Sequence, residues 1–377
     1  MPRRLTTLLF GLTLAAAVVL VLLRSGGTAA PEFARAEYRL PVPNSQPSLF
    51  QHGFISPVGL TAAVHSGTLV ELPGSVLLAA WFGGSREGAA DVAIYGARRD
   101  ASGWSAPFVL TDRAASQREL GRILRKLGNP LLMRGAEGRI WLFYVTVSLG
   151  GWSTSSISYK VSDDNGHNWS PARRLVTSPF LNISTLIRNR PLLYADGGIA
   201  LPAYHELLGK FSELLRLDPS GRVQTKYRMN AGRGAIQPSI VPTGPRRALA
   251  FFRRVGDSPP RVLMADSGDG GNSWSAPVPT DLPNPNAGVA ALRTPNGKYL
   301  LAYNHSEQDR GSLSLALSSD GLRWRKLLDL ERGGREDEFS YPFLIRTKAG
   351  EYHLIYTWQR RRMAHVRFND AWLESLQ

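Results

Sequence analysis

Arginines, carboxylates, histidines and one tyrosine recur in this chain at the ends of strongly apolar runs, and chemistry would sit there. Where one apolar run begins, the sequence offers His65, Asn129, Asn189 with Arg190, Gln237, Asn286 and Tyr341. Where the following run ends, it offers Arg86 with Glu87, His205 with Glu206, Arg253 with Arg254, Asn304 with His305, and Arg360. Asp91 follows Arg86 at the head of the next run, and Arg310 follows Asn304 in a loop. Taken singly, a polar group at the end of an apolar strand is more often structural than functional. Their shared phase says more. If the runs are strands of similar units around one axis, these groups converge on a single mouth rich in arginine with several carboxylates. Arginine suits bidentate capture of a carboxylate, and paired carboxyl groups flanking a sugar are the equipment of glycosidic cleavage.

The elements that must bring these groups together are repeated hairpins. Ser162-Asp163-Asp164-Asn165-Gly166-His167-Asn168-Trp169 has the form Ser-x-Asp-x-Gly-x-x-Trp and returns at Ser267 to Trp274. A copy one residue shorter runs from Ser318 to Trp324, with weaker relics at Asp100 to Trp104 and Asp218 to Gly221. Short Ser and Asp side chains bond back to local amides, Gly takes the positive φ, and Trp covers the hairpin. These residues build turns and do no chemistry; their value is the period. The Asp positions 100, 164, 218, 269 and 320 are 64, 54, 51 and 51 residues apart. A repeat of about 50 residues made of short strands is a propeller signature. Between the boxes an apolar strand, a Gly turn and a more apolar strand alternate, as in Thr68 to Leu72 then Val76 to Phe82, or Phe343 to Arg346 then Tyr352 to Trp358. The expectation is an all-β, six-bladed propeller over residues 48–377. Ala115 to Leu127 has helical spacing and Glu206 to Leu215 reads as another short helix, both as loop insertions.

Met1 to Arg24 carries Arg3 and Arg4 and an apolar stretch from Thr6 to Leu23, which reads as a signal or membrane-anchor helix. Residues 25–47 read as a linker. The body is therefore expected outside the cytoplasm, on the periplasmic or extracellular face, held at the membrane by residues 6–23. The chain has no cysteine, and its seven histidines lack metal-ligand spacing, so neither disulfides nor a metal centre nor another cofactor is expected. The formal charge of +15 suits an acidic polysaccharide or lipid. Nucleic acid ranks last, because no reader motif is present.

At Ala80-Trp81-Phe82-Gly83-Gly84-Ser85-Arg86-Glu87-Gly88, Leu201-Pro202-Ala203-Tyr204-His205-Glu206, Ile236-Gln237-Pro238, Leu282 to Asn286 and Phe339-Ser340-Tyr341-Pro342, the sequence resembles the bacterial sialidase superfamily with BNR, or Asp-box, repeats. The resemblance covers roughly residues 55 to 372. It implies three arginines on a sugar carboxylate, a Tyr nucleophile assisted by a Glu, and an Asp acid/base. Carried over, Arg310 and Arg253 match the last and middle arginines, Arg86 and Asp91 the arginine and aspartate after the first hairpin, and Tyr341 the nucleophile, with Phe339 the alternative. Two departures stand out. His65 replaces the first arginine, and the assisting glutamate would fall near Ala235, leaving Glu206 or Glu338 as substitutes. The resemblance thus implies a glycosidase on an acidic glycan. Arg253, Arg310 and Arg190 would bind the carboxylate, with His65, Gln237, Asn304 and Arg86 around it, and Tyr341, Asp91, Glu206 and His205 would do the chemistry. A membrane-tethered glycan-binding propeller without turnover, and a uronate lyase using His205 and Tyr341, stay open.

Overall fold

The computed structural model describes residues 30–41 and 46–376, except 179–181, 231, 233 and 258. Six antiparallel sheets follow one another along the chain, and their inner strands pack side by side to close a six-bladed propeller. Blade 1 holds the strands Ala63–Glu71, Leu77–Gly84 and Ala93–Asp100, with Gly103–Trp104 and Phe108–Asp112 outside them. Blade 2 runs from Lys126–Arg134 to Arg173–Arg174, and blade 4 from Ala235–Pro242 to Val278–Pro283. Blade 5 runs from Ala290–Arg293 to Arg325–Arg332. Blade 3 has a broken inner strand, Leu186–Ile187 then Leu192–Leu193, before Ile199–His205, Phe211–Leu217 and Val223–Arg228. Blade 6 takes Phe339–Arg346, Glu351–Trp358 and Arg362–Asn369 from the end of the chain and its outermost strand, Phe50–Phe54, from the beginning. Phe50 faces Phe368 and Phe54 faces Ala364 in that pairing. The ring is thus latched by main-chain hydrogen bonds between the two ends of the propeller sequence, which leaves no open seam between first and last blades.

The three full Asp boxes form as their composition dictates. The Ser162 hydroxyl donates to Asp164 at 2.7 Å and accepts from the Gly166 amide at 2.8 Å, while Asp164 takes the amides of His167 and Asn168. Those hydrogen bonds hold the Asp164 carboxyl well below its ordinary range. Ser267 with Asp269, and Ser318 with Asp320, repeat the pattern.

Three expectations need correction. The first helix is Arg113–Leu120, shorter than the reading, capped by Asp112 accepting from the Ala115 amide and stopped by Gly121 in the left-handed conformation. Leu124 and Leu127 beyond it are buried and lead into blade 2. The stretch from Glu206 to Leu215 is no helix. It is a turn followed by Phe211–Leu217, paired on both sides, because neighbours on two edges outweigh the helix propensity of Glu and Leu. Within the supposed linker, residues 32–41 lie against the propeller. Phe33 is buried on Tyr194 with ring centres 5.4 Å apart, and the short helix Arg35–Tyr38 follows. The anchor expected at residues 6–23 falls outside the described residues; among those described, no helix is long and apolar enough to cross a membrane.

Candidate active site

The site is built by a fault repeated in the inner strands. Pairing between first and second strand slips between His65 and Thr68, Gly128 and Leu131, Ile236 and Ser239, and Ser340 and Phe343. At each slip one residue takes a positive φ: Ser66 (51°), Asn129 (45°), Gln237 (54°) and Tyr341 (54°). Such a bulge kinks the strand and re-aims a side chain. A left-handed backbone at a non-glycine residue costs free energy that surrounding structure must offset, a feature common at functional sites. By position relative to the following hairpin, Arg188 stands at this step in blade 3 and Gly288 in blade 5. A Cβ on Gly288 would come 3.1 Å from Gln237 Oε1 and 3.6 Å from Tyr341 Cδ1. The glycine therefore leaves the gap in which those two side chains approach each other.

Tyr341 is the centre. Arg253 Nη1 donates to its hydroxyl at 3.3 Å and approaches Gln237 Oε1 at 3.4 Å, while Arg253 Nε donates to Asn286 Oδ1 at 2.7 Å. The guanidinium carbons of Arg188 and Arg310 lie 5.1 and 5.5 Å from the Tyr341 ring centre, and His65 meets the ring edge-on at 4.4 Å. Burial pushes the phenol up, but the positive charges of Arg253 and Arg310 together outweigh it and leave Tyr341 below its ordinary value. Phe339, by contrast, is buried near Trp358, so Tyr341 is the side chain among the arginines.

Glu338 ties the remaining cations together. It accepts from Arg360 Nε at 2.6 Å, from the Ser340 hydroxyl at 2.6 Å and from Arg310 Nη1 at 3.3 Å, and Arg360 continues to Glu87 at 2.9 Å. Burial acts against its charge, but these donors hold its carboxyl down at about 2. Arg310 is further steadied by donating Nη2 to the Asn286 carbonyl at 2.9 Å. Burial and then the Arg360 charge push His65 well below the usual imidazole range, so it is neutral; neither ring nitrogen has a hydrogen-bond partner.

The other expected residues divide. Gln237 is in the cluster, donating Nε2 to the Tyr204 hydroxyl at 3.2 Å. Asn304 is fully buried and donates to the carbonyls of Ser312 and of Phe339 (2.7 Å), so it fixes the loops that carry Arg310 and Tyr341. Arg86 and Asp91 are exposed on the blade 1 loop, where Asp91 accepts from the Ser85 amide and hydroxyl at 2.8 and 2.9 Å, bonds that lower its carboxyl. Arg86 also lines a small crevice with His65, Glu87 and Arg360. Glu206 bears electrostatically on Tyr204, as does Tyr341. His205 stacks on Phe211 with centres 4.7 Å apart and accepts the Leu208 amide; among the described residues no bond joins it to Tyr341. Arg190 is not brought to the cluster. It pairs with Glu37 at 2.8 Å, where the chain crosses the other face. Arg188, which the sequence reading missed, stands in its place. A following proline marks this step in blades 2, 4 and 6 (Pro130, Pro238, Pro342), but in blade 3, where the inner strand is broken, Pro191 follows Arg190, two positions past Arg188, so that signal would not have found it.

A family model described as "BNR repeat-like domain" matches residues 75–354. Among solved structures, the Hadza microbial sialidase Hz136 superposes with a TM-score of 0.71 at 16% identity, covering 85% of this chain and 68% of that one. A protein from Dyadobacter fermentans described as of unknown function gives 0.69 at 12% identity, over 85% and 99%. The intramolecular trans-sialidase from Ruminococcus gnavus, in complex with oseltamivir carboxylate, gives 0.67 at 13% identity, over 85% and 98%. At these identities the likeness is one of fold. No curated protein sequence matches the chain.

Proposed function

Since the chain belongs to the BNR repeat-like domain family, we propose that it is a sialidase-like glycoside hydrolase, binding the terminal acidic sugar of a glycan by its carboxylate and cleaving the glycosidic bond at Tyr341. The observation that carries this is the phenol itself: a tyrosine hydroxyl held by Arg253 and overlooked by Arg310 at the front mouth of a propeller whose structural neighbours include sialidases. In the reaction, Arg253 and Arg310 take the sugar carboxylate. The Tyr341 oxygen bonds to the anomeric carbon as the bond to the leaving oxygen breaks, and Asp91 gives that oxygen a proton. Glu206 takes the phenol proton. Water then attacks the same carbon, its proton returns to Asp91, and Tyr341 leaves, taking its own proton back from Glu206. A neutral phenol is a suitable nucleophile near a negatively charged sugar, where a carboxylate would be repelled. The exported, membrane-anchored location belongs to the same proposal and rests on the apolar stretch Thr6 to Leu23.

The test is turnover of a fluorogenic sialoside by the full chain between pH 4 and 8. Activity should fall by roughly 10³-fold or more in Tyr341→Phe with the melting temperature unchanged. Absence of turnover by the wild-type protein across that range would refute the hydrolase. One feature favours a second reading, a glycan-binding propeller: Asp91 is held in its ionised form by Ser85 and so is a poor proton donor as it stands. Binding of a sialylated glycan that persists in Tyr341→Phe, without turnover by either protein, is the result that reading requires.

A further inference from the structure

A cavity much larger than the crevice beside His65 lies at the other end of the axis. A vestibule of about 560 Å³ opens where the inner strands end and the hairpins to the second strands turn, roughly 16 Å along the strand from Tyr341. All six inner strands contribute to its wall, and residues 36–40 of the docked N-terminal segment lie across it. The volume is that of an ordinary small-molecule site.

Its wall is cationic. Arg134, Arg190, Arg293, Arg346 and Lys348 line it against two carboxylates, Glu37 and Glu71. Much of that charge is uncompensated. Arg346, whose side chain is 3% exposed, pairs with Asp370 at 2.8 Å, yet its buried Nε has no hydrogen-bond partner. Among the described residues the buried Nε atoms of Arg134 and Arg293 are likewise unpartnered, and Arg293 reaches main-chain carbonyls, Tyr38 at 3.5 Å and Thr243 at 3.2 Å. Three guanidinium N–H groups withdrawn from water without an acceptor are costly unless something supplies one. The chain itself shows which chemistry fits. The Glu37 carboxylate enters the vestibule and is held like a ligand, accepting from Arg190 Nη1 at 2.8 Å and from the Leu193 amide at 3.0 Å.

We propose that this vestibule is a second binding site, for a small organic acid carrying more than one carboxylate, with Glu37 already filling the Arg190 subsite. Arg134, Arg293 and Arg346 hold the incoming carboxylates through the charge of the guanidinium groups that line the wall, and Lys348 adds charge at the rim. The site is independent of the hydrolase reading, because none of its residues belongs to the Tyr341 cluster.

Titration calorimetry of the full chain with citrate tests it. Citrate should bind, and Arg134→Met and Arg293→Met should each weaken binding by about tenfold or more, the loss of one charge-assisted hydrogen bond. Glu37→Gln should tighten it, since a negative charge leaves the cavity. Arg253→Met should leave citrate affinity unchanged while abolishing capture of a sialoside at the front. No heat of binding at millimolar citrate, affinity indifferent to both vestibule arginines, or affinity lost in Arg253→Met would each overturn the proposal.

Discussion

Acid should loosen this protein in a pH window where its strongly hydrogen-bonded carboxylates are silent. Trp104 Nε1 donates to His365 Nδ1 at 3.2 Å, and His365 Nε2 lies 2.9 Å from His353 Nδ1. His353 Nε2 in turn lies 3.4 Å from Glu351. The indole can only donate, so His365 carries its proton on Nε2 and gives it to His353, whose own proton then points at Glu351. Each imidazole is neutral, and a further proton has nowhere to go. Burial, with His353 and the Arg99 and Arg367 charges, pushes His365 well below the usual imidazole range, and burial also lowers His353. His65 is depressed in the same way. Unfolded, all three take up a proton near 6.5, so below that value the unfolded state binds more protons and stability falls with pH. Each histidine that stays neutral in the fold loses about 1.4 kcal/mol per pH unit, roughly 2 kcal/mol between pH 6.5 and 5. Glu338, held by Arg360 against its burial, and Glu351, held by His353 and Arg367, sit at about 2, so their stabilisation is present above the unfolded carboxylate value near 4.5 and is lost only below it. Glu71, which burial raises, works in the opposite sense, gaining stability as pH falls, so the loss between 5 and 6.5 belongs to histidine. Urea unfolding followed by tryptophan fluorescence at half-unit pH steps reads the slope, and His365→Leu should reduce it by one proton. A stability flat from pH 7 to 5, or a slope unaltered in His365→Leu, refutes the argument.

Gly288→Ala should cost activity more than stability, because its methyl presses on Gln237 and Tyr341 rather than on the core; sialoside kinetics beside a thermal melt separate the two. Asn304→Ala deserts buried carbonyls and should lower stability by about 1–3 kcal/mol, measurable by urea unfolding, while raising KM through a displaced Arg310. Arg188→Met removes a buried guanidinium that donates to the Pro342 carbonyl at 3.0 Å but has two unpartnered nitrogens, and which burial pulls down to about 10. Stability should hold or rise while turnover falls, and a large loss of stability would show the charge to be structural.

The blades were legible because each is written locally. Ser162, Asp164 and Gly166 bond among themselves within five residues, and every inner hairpin has its own Gly turn, so period and strand count survive without tertiary information. The latch was not. Phe50–Phe54 pairs with Arg362–Asn369, over 300 residues away, and its local pattern suits a first blade as well as a last. In the site, Arg253, Gln237 and Tyr341 were legible because they sit at blade-equivalent steps, and Arg310, in a loop, through the family resemblance. Arg188 was lost to a broken strand, and Glu338 and Arg360 were underrated because their importance lies in bonding each other across the mouth end of the blade 6 hairpin. Arg190, two residues past the step that Arg188 holds, lies at the opposite mouth, paired with Glu37.

The docking of residues 32–41 also sets an orientation. The polypeptide reaches the ring from the side away from Tyr341. Under the proposed membrane anchor the disc would sit like a dish on its stalk, with the Tyr341 mouth turned to open medium.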